Sequence, residues 1–288
     1  MSGRFTFIRF AVCLLAVCLV AFGSDLKRAE NLYQRTDYEG SLKIASEERS
    51  PAAAVYGLIG RNWFMLGDFK KAADAFQKAV EMEPENSEYN HWLGRTYGRR
   101  AETASPFFAP ANASKARQYF ERAVELDPTN QEALNDLFDY YLQAPGFLGG
   151  GYEKAAEVAR RIGRLNPAEY HFAQAQLADK RKQYDTAEEQ LRRAMALAPR
   201  QVGRVLDLAK YLAKHGRYKE SDETFQVAEK MAPNSPKIMF ARAHTYIKEK
   251  RNLDEAKALL EKYLRSNLTP DDPPREEASK LLKQVAGA

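Results

Sequence analysis

One spacing of residues recurs along most of this 288-residue chain. Three residues, usually two small ones and one larger apolar one, follow each other at steps of four and three, and a proline follows five positions later. Such steps place the three side chains on one face of a helix, and proline ends the helix. The spacing therefore predicts a series of similar helices that pack closely against neighbours. The clear copies are Ala72-Phe76-Ala79-Pro84, Ala116-Phe120-Ala123-Pro128, Ala155-Ala159-Ile162-Pro167, Ala187-Leu191-Ala194-Pro199 and Ser221-Phe225-Ala228-Pro233.

A second type of helix is predicted before each of these. In one copy an apolar face ends at the turn Gly67-Asp68-Phe69, and the turn recurs as Gly216-Arg217-Tyr218. Glycine at this point favours the left-handed conformation that ends a helix. Weaker copies of the repeat lie at Ser41-Ala45-Glu48 and Ala256-Leu260-Tyr263. The chain is therefore predicted to consist of helix pairs from near its start to near its end.

These motifs resemble the tetratricopeptide repeat family over about residues 25–268. The resemblance implies an all-α fold, a right-handed superhelical solenoid of about seven helix-turn-helix repeats closed by a C-terminal capping helix. It also implies that the first helix of each pair lines a concave groove that holds peptides or protein surfaces. The expected repeats lie near 24–52, 53–86, 87–130, 131–167, 168–201, 202–235 and 236–268, followed by the capping helix and tail at 269–288.

Two repeats carry additional residues. The intervals between the repeat prolines are 44 and 39 residues in the third and fourth repeats, and 34 in the sixth. The insertions are predicted between the two helices of each pair, at 99–114 and 144–151. They contain the candidate site residues Phe107, Phe108, Phe147 and Leu148. These side chains either cover the ends of helices or form an apolar docking patch.

The first 23 residues resemble a secretory signal peptide. Arg4 and Arg9 precede an apolar run from Phe10 to Phe22, and small residues before Ser24 fit a cleavage site. The run is shorter than the ~20 residues that span a bilayer, although an uncleaved anchor is the alternative. Cleavage would remove the only cysteines, which lie within this run. The sequence therefore predicts a periplasmic or secreted protein that meets the membrane only through its signal. The insertion at 144–151 resembles one in bacterial repeat proteins, which implies a bacterial source.

The sequence offers no recognisable catalytic constellation, so the chain is predicted not to be an enzyme. None of its four histidines lies three or four residues from another, so neither a metal site nor another cofactor is expected. The run Gly149–Gly151 lacks the Gly-Lys-Ser/Thr ending of a phosphate loop. It is either a flexible turn or a set of exposed N–H groups that could bind an anion. Basic and acidic residues alternate, which does not favour nucleic acid as a partner.

The predicted groove supplies a second set of candidate site residues on the first helices. We expect these side chains to point away from the core. The arginines among them would either form a positive strip for carboxylates or belong to a solvated groove wall. The candidates are Arg61, His91, Arg95, Arg99, Asn135 and Asp139.

Two functions follow from these patterns. The first is a non-catalytic scaffold that binds a protein or peptide outside the cytoplasm, in assembly of an envelope or secretion complex. The alternative is a carbohydrate- or lipid-associated envelope factor that uses the aromatic edge formed by the two insertions. Phe107 and Phe108 would carry the second function, and Arg95 and Arg99 the first.

Overall fold

A computed structural model of the protein describes residues 25–48 and 51–287. Within these ranges it contains α-helices, one short 3-10 helix and no β-strand. The predicted signal peptide, residues 1–23, lies outside the described residues. The helices are α1 (25–34), α2 (Tyr38–Ser46), α3 (Ala53–Met65), α4 (Phe69–Met82), α5 (Ser87–Thr103), α6 (Ala109–Leu126), α7 (Gln131–Gln143), α8 (Tyr152–Leu165), α9 (Pro167–Lys180), α10 (Tyr184–Leu197), α11 (Val202–Lys214), α12 (Tyr218–Met231), α13 (Pro236–Lys248), α14 (Leu253–Leu264) and α15 (Arg275–Ala286).

The helices divide into two compact units. Unit 1 is Met1–Glu85, and its described helices are α1 to α4; unit 2 is Asn86–Ala288 and contains α5 to α15. In each unit consecutive helices pack against one another along the chain, and the largest contacts join the two helices of each predicted pair. The predicted all-α repeat architecture is therefore confirmed. No helix in the described ranges is both long enough and apolar enough to cross a bilayer.

The recurring small residues allow two helices to approach closely. In unit 1, Ala72, Phe76 and Ala79 are buried, and a Cβ atom on Gly60 of α3 would lie 2.8 Å from the Phe76 ring. In unit 2 the same relation joins α5 and α6, where a Cβ atom on Gly94 would lie 2.6 Å from Phe120. Real Cβ atoms avoid such distances. The glycine on the first helix therefore makes room for the aromatic ring of the second.

The turns inside the pairs have the predicted left-handed residue. Gly67 has a φ of +77° and Gly216 a φ of +75°. In two other turns a lysine has the left-handed conformation: Lys182 has a φ of +60° and Lys250 a φ of +53°. Next to Gly67, the Asp68 side chain accepts a hydrogen bond from the Lys71 N–H and caps α4. The turn geometry therefore belongs to the repeat and does not depend on glycine.

The first insertion is mostly helical, which corrects the prediction that residues 99–114 separate two helices. The α5 helix continues to Thr103 and α6 begins at Ala109, so the turn is only 104–108. Ser105 and Pro106 interrupt the helix, whereas Pro110 fits the first turn of the next one. The two helices have 17 and 18 residues against 13 and 14 in α7 and α8. Four more residues lengthen a helix by about 6 Å.

The second insertion is a tightly packed turn built around the 3-10 helix Gly146–Leu148. The three N–H groups of Gly149–Gly151 donate hydrogen bonds to the carbonyl oxygens of Gly146, Pro145 and Tyr141. An anion therefore has no free N–H group to bind in this run. A Cβ atom on residue 150 would lie 1.9 Å from the Ala144 carbonyl oxygen. The glycines are needed for this close approach of the backbone.

The C-terminal capping helix is present. Pro274 precedes the first residue of α15, whose Ala278 is buried against α13 and α14. Leu281 and Leu282 pack against the same cluster. The Tyr263 hydroxyl of α14 donates a hydrogen bond to the Pro273 carbonyl oxygen and holds the connecting segment. The last helix pair thereby covers its apolar end, as an open repeat stack requires.

Candidate functional site

The first helices of unit 2 form its inner face. Direct contacts join α5 to α7 and α11 to α13. Among the described helices of this unit, the second helices of successive pairs make no comparable contact with one another. In a curved stack of two layers, the layer whose members lie closer together is the concave one. The inner face therefore consists of α5, α7, α9, α11 and α13.

The His91 side chain is buried beneath the inner face. The prediction that it points away from the core is therefore wrong. His91 is only 2% exposed, and its Nε2 atom lies 2.7 Å from Oδ2 of Asp136. The Nε atom of Arg95 lies 3.7 Å from the same carboxylate oxygen. His91 and Arg95 on α5 thus hold Asp136 of α7 in place across the two helices.

The arginines of the candidate set each contact another side chain of the protein, which disfavours the positive strip, one of the two alternatives. Arg99 Nη1 lies 2.6 Å from Oε2 of Glu102, one turn further along α5. Arg95 shares Asp136 with His91. Arg61 belongs to unit 1, where its guanidinium carbon lies 5.5 Å from the centre of the Tyr33 ring. The charge available to a ligand on this part of the inner face is instead carried by carboxylates.

Asp139, also on α7, is a carboxylate whose titration is altered. Its side chain reaches solvent, but protein surrounds it on the inner face of a curved stack. This loss of surrounding water, together with the nearby Asp136 carboxylate, raises the pKa of Asp139 to about 6, although a hydrogen bond with Gln176 opposes the rise. Asn135, on the same helix, is half-buried. The inner face at α7 therefore carries negative charge that the protein compensates incompletely.

The acidic region continues onto α9 and α11. Arg204 Nη1 lies 3.5 Å from Oε1 of Glu169, and its Nη2 atom lies 3.1 Å from Oδ2 of Asp207. Burial raises the pKa of both carboxyl groups, and Arg204 partly offsets the rise in each. The single guanidinium of Arg204 therefore forms ion pairs with two carboxylates.

The far end of the inner face is basic. Lys210, on α11, and Lys248, on α13, are exposed. His244 occupies the position of α13 that is equivalent to Lys210 and precedes Lys248 by one turn. Burial lowers the pKa of His244, and both lysines act in the same direction, whereas Glu277 opposes them. The face therefore changes sign within α11, from acidic at α7, α9 and Asp207 to basic at Lys210 and α13.

A cavity of about 380 Å³ lies where the ends of α7, α9 and α11 meet. Lys214 Nζ lies 2.5 Å from Oδ2 of Asp179 in its wall, which ties α11 to α9. Polar side chains predominate among the lining residues, which include three lysines. They are Leu142, Gln143, Gln176, Asp179, Lys180, Lys182, Tyr184, Lys214 and His215. Among the described residues, no group of three or more His, Cys, Asp or Glu side chains could hold a metal ion.

Two carboxylates of this face, Asp136 and Asp207, were missed in the sequence, although the repeat register contains them. Asp136 and Asp207 each lie eight positions after a repeat proline, at Pro128 and Pro199. Asp139 and Lys210 lie eleven positions after the same prolines. Comparison of equivalent positions in the repeats would have placed all four residues on one face.

The sequence can now be compared with known families. Sequence profiles described as tetratricopeptide repeat match residues 53–86, 111–130, 172–236 and 206–273, more than half of the chain in total. The chain belongs to the tetratricopeptide repeat family. Such repeats generally form non-catalytic scaffolds for protein–protein interaction. No curated protein matches the chain.

Solved structures of the tetratricopeptide repeat family share its fold. One, from Parabacteroides merdae, is 16% identical with a TM-score of 0.59 and covers 92% of this chain and 98% of its own. A second, a thermophilic protein of Thermus thermophilus, is 18% identical with a TM-score of 0.54 and covers 66% and 98% respectively. At these identities the similarity concerns the fold alone.

The insertion residues lie at one edge of unit 2. Phe107 and Phe108 are in the α5–α6 turn, and their rings meet edge to face with centroids 5.1 Å apart. Phe147 lies in the α7–α8 turn, whereas its neighbour Leu148 is half-buried. The phenylalanines are 85%, 62% and 81% exposed, in chain order. They therefore do not cover the ends of helices, which was one of the two hypotheses.

Asp139→Asn is expected to stabilise the protein above pH 6 and to have little effect at pH 4. Because the folded-state pKa is raised from 3.8 to about 6, the folded protein binds more protons between these values, and the wild type loses stability as pH rises. Solvent screening limits the effect to about 1 kcal/mol. Thermal unfolding at pH 4 and pH 7 measures it, with exposed Asp271→Asn as control. An equal shift at both pH values would contradict the prediction.

Proposed function

We propose that this protein is a non-catalytic scaffold that holds a segment of another protein against the inner face of unit 2. The change of sign along that face carries the proposal. A bound segment would place a basic side chain near Asp139 and an acidic one near Lys210. Because Asp139 titrates at about 6, an incoming cation would stabilise its ionised form, and the stabilisation would favour binding. The preformed helices would require little ordering when the segment binds.

We further propose that the scaffold acts outside the cytoplasm, in assembly of an envelope or secretion complex. The basic start and apolar run of residues 1–23 support export. The N-terminal sequence of the protein recovered from the periplasmic fraction or the medium tests this point. We expect it to begin at Ser24. Recovery of the intact N-terminus from the cytoplasm would contradict it.

Site-specific photo-crosslinking in the native cells tests the binding face. A photoreactive residue at Gln143, next to the cavity, is expected to capture a partner. The same residue at Gln226, exposed on the second helix α12, is the matched control. Equal capture at both positions would contradict a site on the inner face.

Charge reversal then tests the contribution of Asp139. Asp139→Lys is expected to weaken capture at Gln143 about tenfold or more, since a charge contact is replaced by repulsion. Glu223→Lys, an exposed position on the second helix α12, makes the same change of charge away from this face. Loss of capture in both variants would show a general effect of charge and no role for the acidic region.

A further inference from the structure

The three phenylalanines of the insertions are the most exposed large apolar side chains in the described residues. Phe107, Phe147 and Phe108 are each at least 62% exposed, whereas the next, Leu197, is 54% exposed. All three belong to the two turns that distinguish the third and fourth repeats from the others. We call residues 104–108 and 146–148 the aromatic edge.

The two parts of the aromatic edge face the same way. The α5 and α7 helices run in the same direction, because α6 returns between them, and both turns follow the ends of these helices. The 3-10 helix also packs against α6, which begins directly after Phe108. The edge therefore presents its phenylalanines on one side of unit 2.

The second turn is fixed in its outward position. The Tyr140 hydroxyl donates a hydrogen bond of 2.9 Å to the Leu148 carbonyl oxygen. Lys154 Nζ donates another of 2.9 Å to the Gly149 carbonyl oxygen. The exposure of Phe147 is therefore set by the turn itself and needs no rearrangement for contact with a partner.

Charged residues are absent from the edge and surround it. Neither 103–114 nor 143–152 contains Asp, Glu, Lys or Arg. Around these segments, Arg100 of α5 and Lys115 of α6 have their cationic groups 5.2 and 5.0 Å from the centre of the Tyr97 ring. Lys154 flanks the second turn.

The nearby carboxylates are already paired. Glu102 forms an ion pair with Arg99, and Glu121 Oε1 lies 3.8 Å from Arg117 Nη1. Glu153 lies 3.5 Å from Arg181. The aromatic edge therefore has a basic rim in which the acidic groups are offset.

We propose that the aromatic edge inserts into an anionic lipid surface. Phenylalanines on uncharged turns can enter the boundary between headgroups and acyl chains without burying a charge. The basic rim would contact anionic headgroups. Three rings offer about 600 Å² of apolar surface, less than the ~800 Å² per partner of a stable protein interface. A lipid surface also requires no matching shape.

Vesicle co-sedimentation tests the proposal. All proteins begin at Ser24, so that the apolar run 10–22 cannot bind lipid itself, and every described helix is retained. The probes are phosphatidylcholine vesicles with and without phosphatidylglycerol. We expect binding to the anionic vesicles, and Phe107→Ser/Phe108→Ser/Phe147→Ser is expected to weaken it at least tenfold. Leu165→Ser/Leu197→Ser/Val227→Ser replaces three exposed apolar residues on the second helices of unit 2 and is the matched control.

Charge reversal tests whether the basic rim contributes to vesicle binding. Arg100→Glu/Lys115→Glu is expected to reduce binding to the anionic vesicles and to leave the weak binding to neutral ones unchanged. Arg192→Glu/Arg193→Glu makes the same change of charge on α10, away from the edge. Thermal unfolding verifies that each variant is folded.

Three results would overturn the lipid proposal. They are absence of wild-type binding, binding unaffected by the phenylalanine variant, and equal loss in the control variant. A wild-type dimer that the phenylalanine variant dissociates would identify the edge as a self-interface instead. The scaffold function is tested by Asp139→Lys, which leaves the edge unchanged, so failure of the lipid proposal and failure of the scaffold proposal are distinguishable.

Discussion

Phe225→Ala is expected to lower the free energy of unfolding by about 3–5 kcal/mol. Phe225 is 0% exposed at the centre of the sixth repeat. Its ring belongs to a buried cluster that includes Leu206 of α11 and Ile238 of α13. Removal of the ring leaves a cavity between three helices, which cannot collapse easily because each is fixed by other contacts.

Urea unfolding followed by circular dichroism measures this loss. Phe147→Ala is the matched control, since it removes the same side chain from a position that is 81% exposed, and its effect should stay within about 0.5 kcal/mol. Because repeat units contact chiefly their neighbours, the variant is also expected to broaden the transition. A loss below about 1 kcal/mol for Phe225→Ala would show that the sixth repeat does not depend on this packing.

Asp222→Ala is expected to lower the free energy of unfolding by about 2–3 kcal/mol. Asp222 on α12 accepts two hydrogen bonds from Arg251, at 2.9 and 2.8 Å, and one of 2.9 Å from the Tyr246 hydroxyl. Its removal leaves a guanidinium and a phenol without their carboxylate in a partly buried position. Glu223→Ala is the control, because Glu223 is the adjacent, exposed carboxylate.

The same network predicts a dependence on pH. Burial opposes ionisation of Asp222, but the hydrogen bonds from Arg251 and Tyr246 outweigh it and hold the pKa below its usual 3.8. The unfolded chain therefore binds a proton more readily, and the stabilisation present at neutral pH is lost as pH falls below about 4. Wild type and Asp222→Ala should approach each other in stability in acid. A constant difference down to pH 2 would contradict this explanation.

The helical repeat could be predicted from the sequence because it depends on local spacing. Ala116, Phe120 and Ala123 lie on one face of any helix, so no tertiary information is needed to place them. The left-handed residue of the turns could be predicted only where it is glycine. Lys182 takes the same conformation because the repeat around it imposes it, and lysine itself has no preference for it.

The candidate site was predicted less well because it depends on contacts between helices. A polar residue on a first helix was expected to point into the groove, but His91 is buried. Its hydrogen-bonding partner, Asp136, lies on the first helix of the next repeat, α7. Arg95 and Arg99 were likewise counted as available charges without their partners. The first insertion was expected to be a loop because its length exceeds the repeat. Its residues instead extend two helices, since only Ser105 and Pro106 interrupt them.

The change of charge sign along the inner face would fix the orientation in which a segment binds to unit 2. A segment with a cation at one end and an anion at the other can match α7 and α11 in one orientation only. A peptide with the same composition in reversed order would place like charges together. A correctly bound partner would then leave the groove with each terminus on a defined side. Whatever domains are attached to that segment would be delivered to fixed, opposite ends of the scaffold.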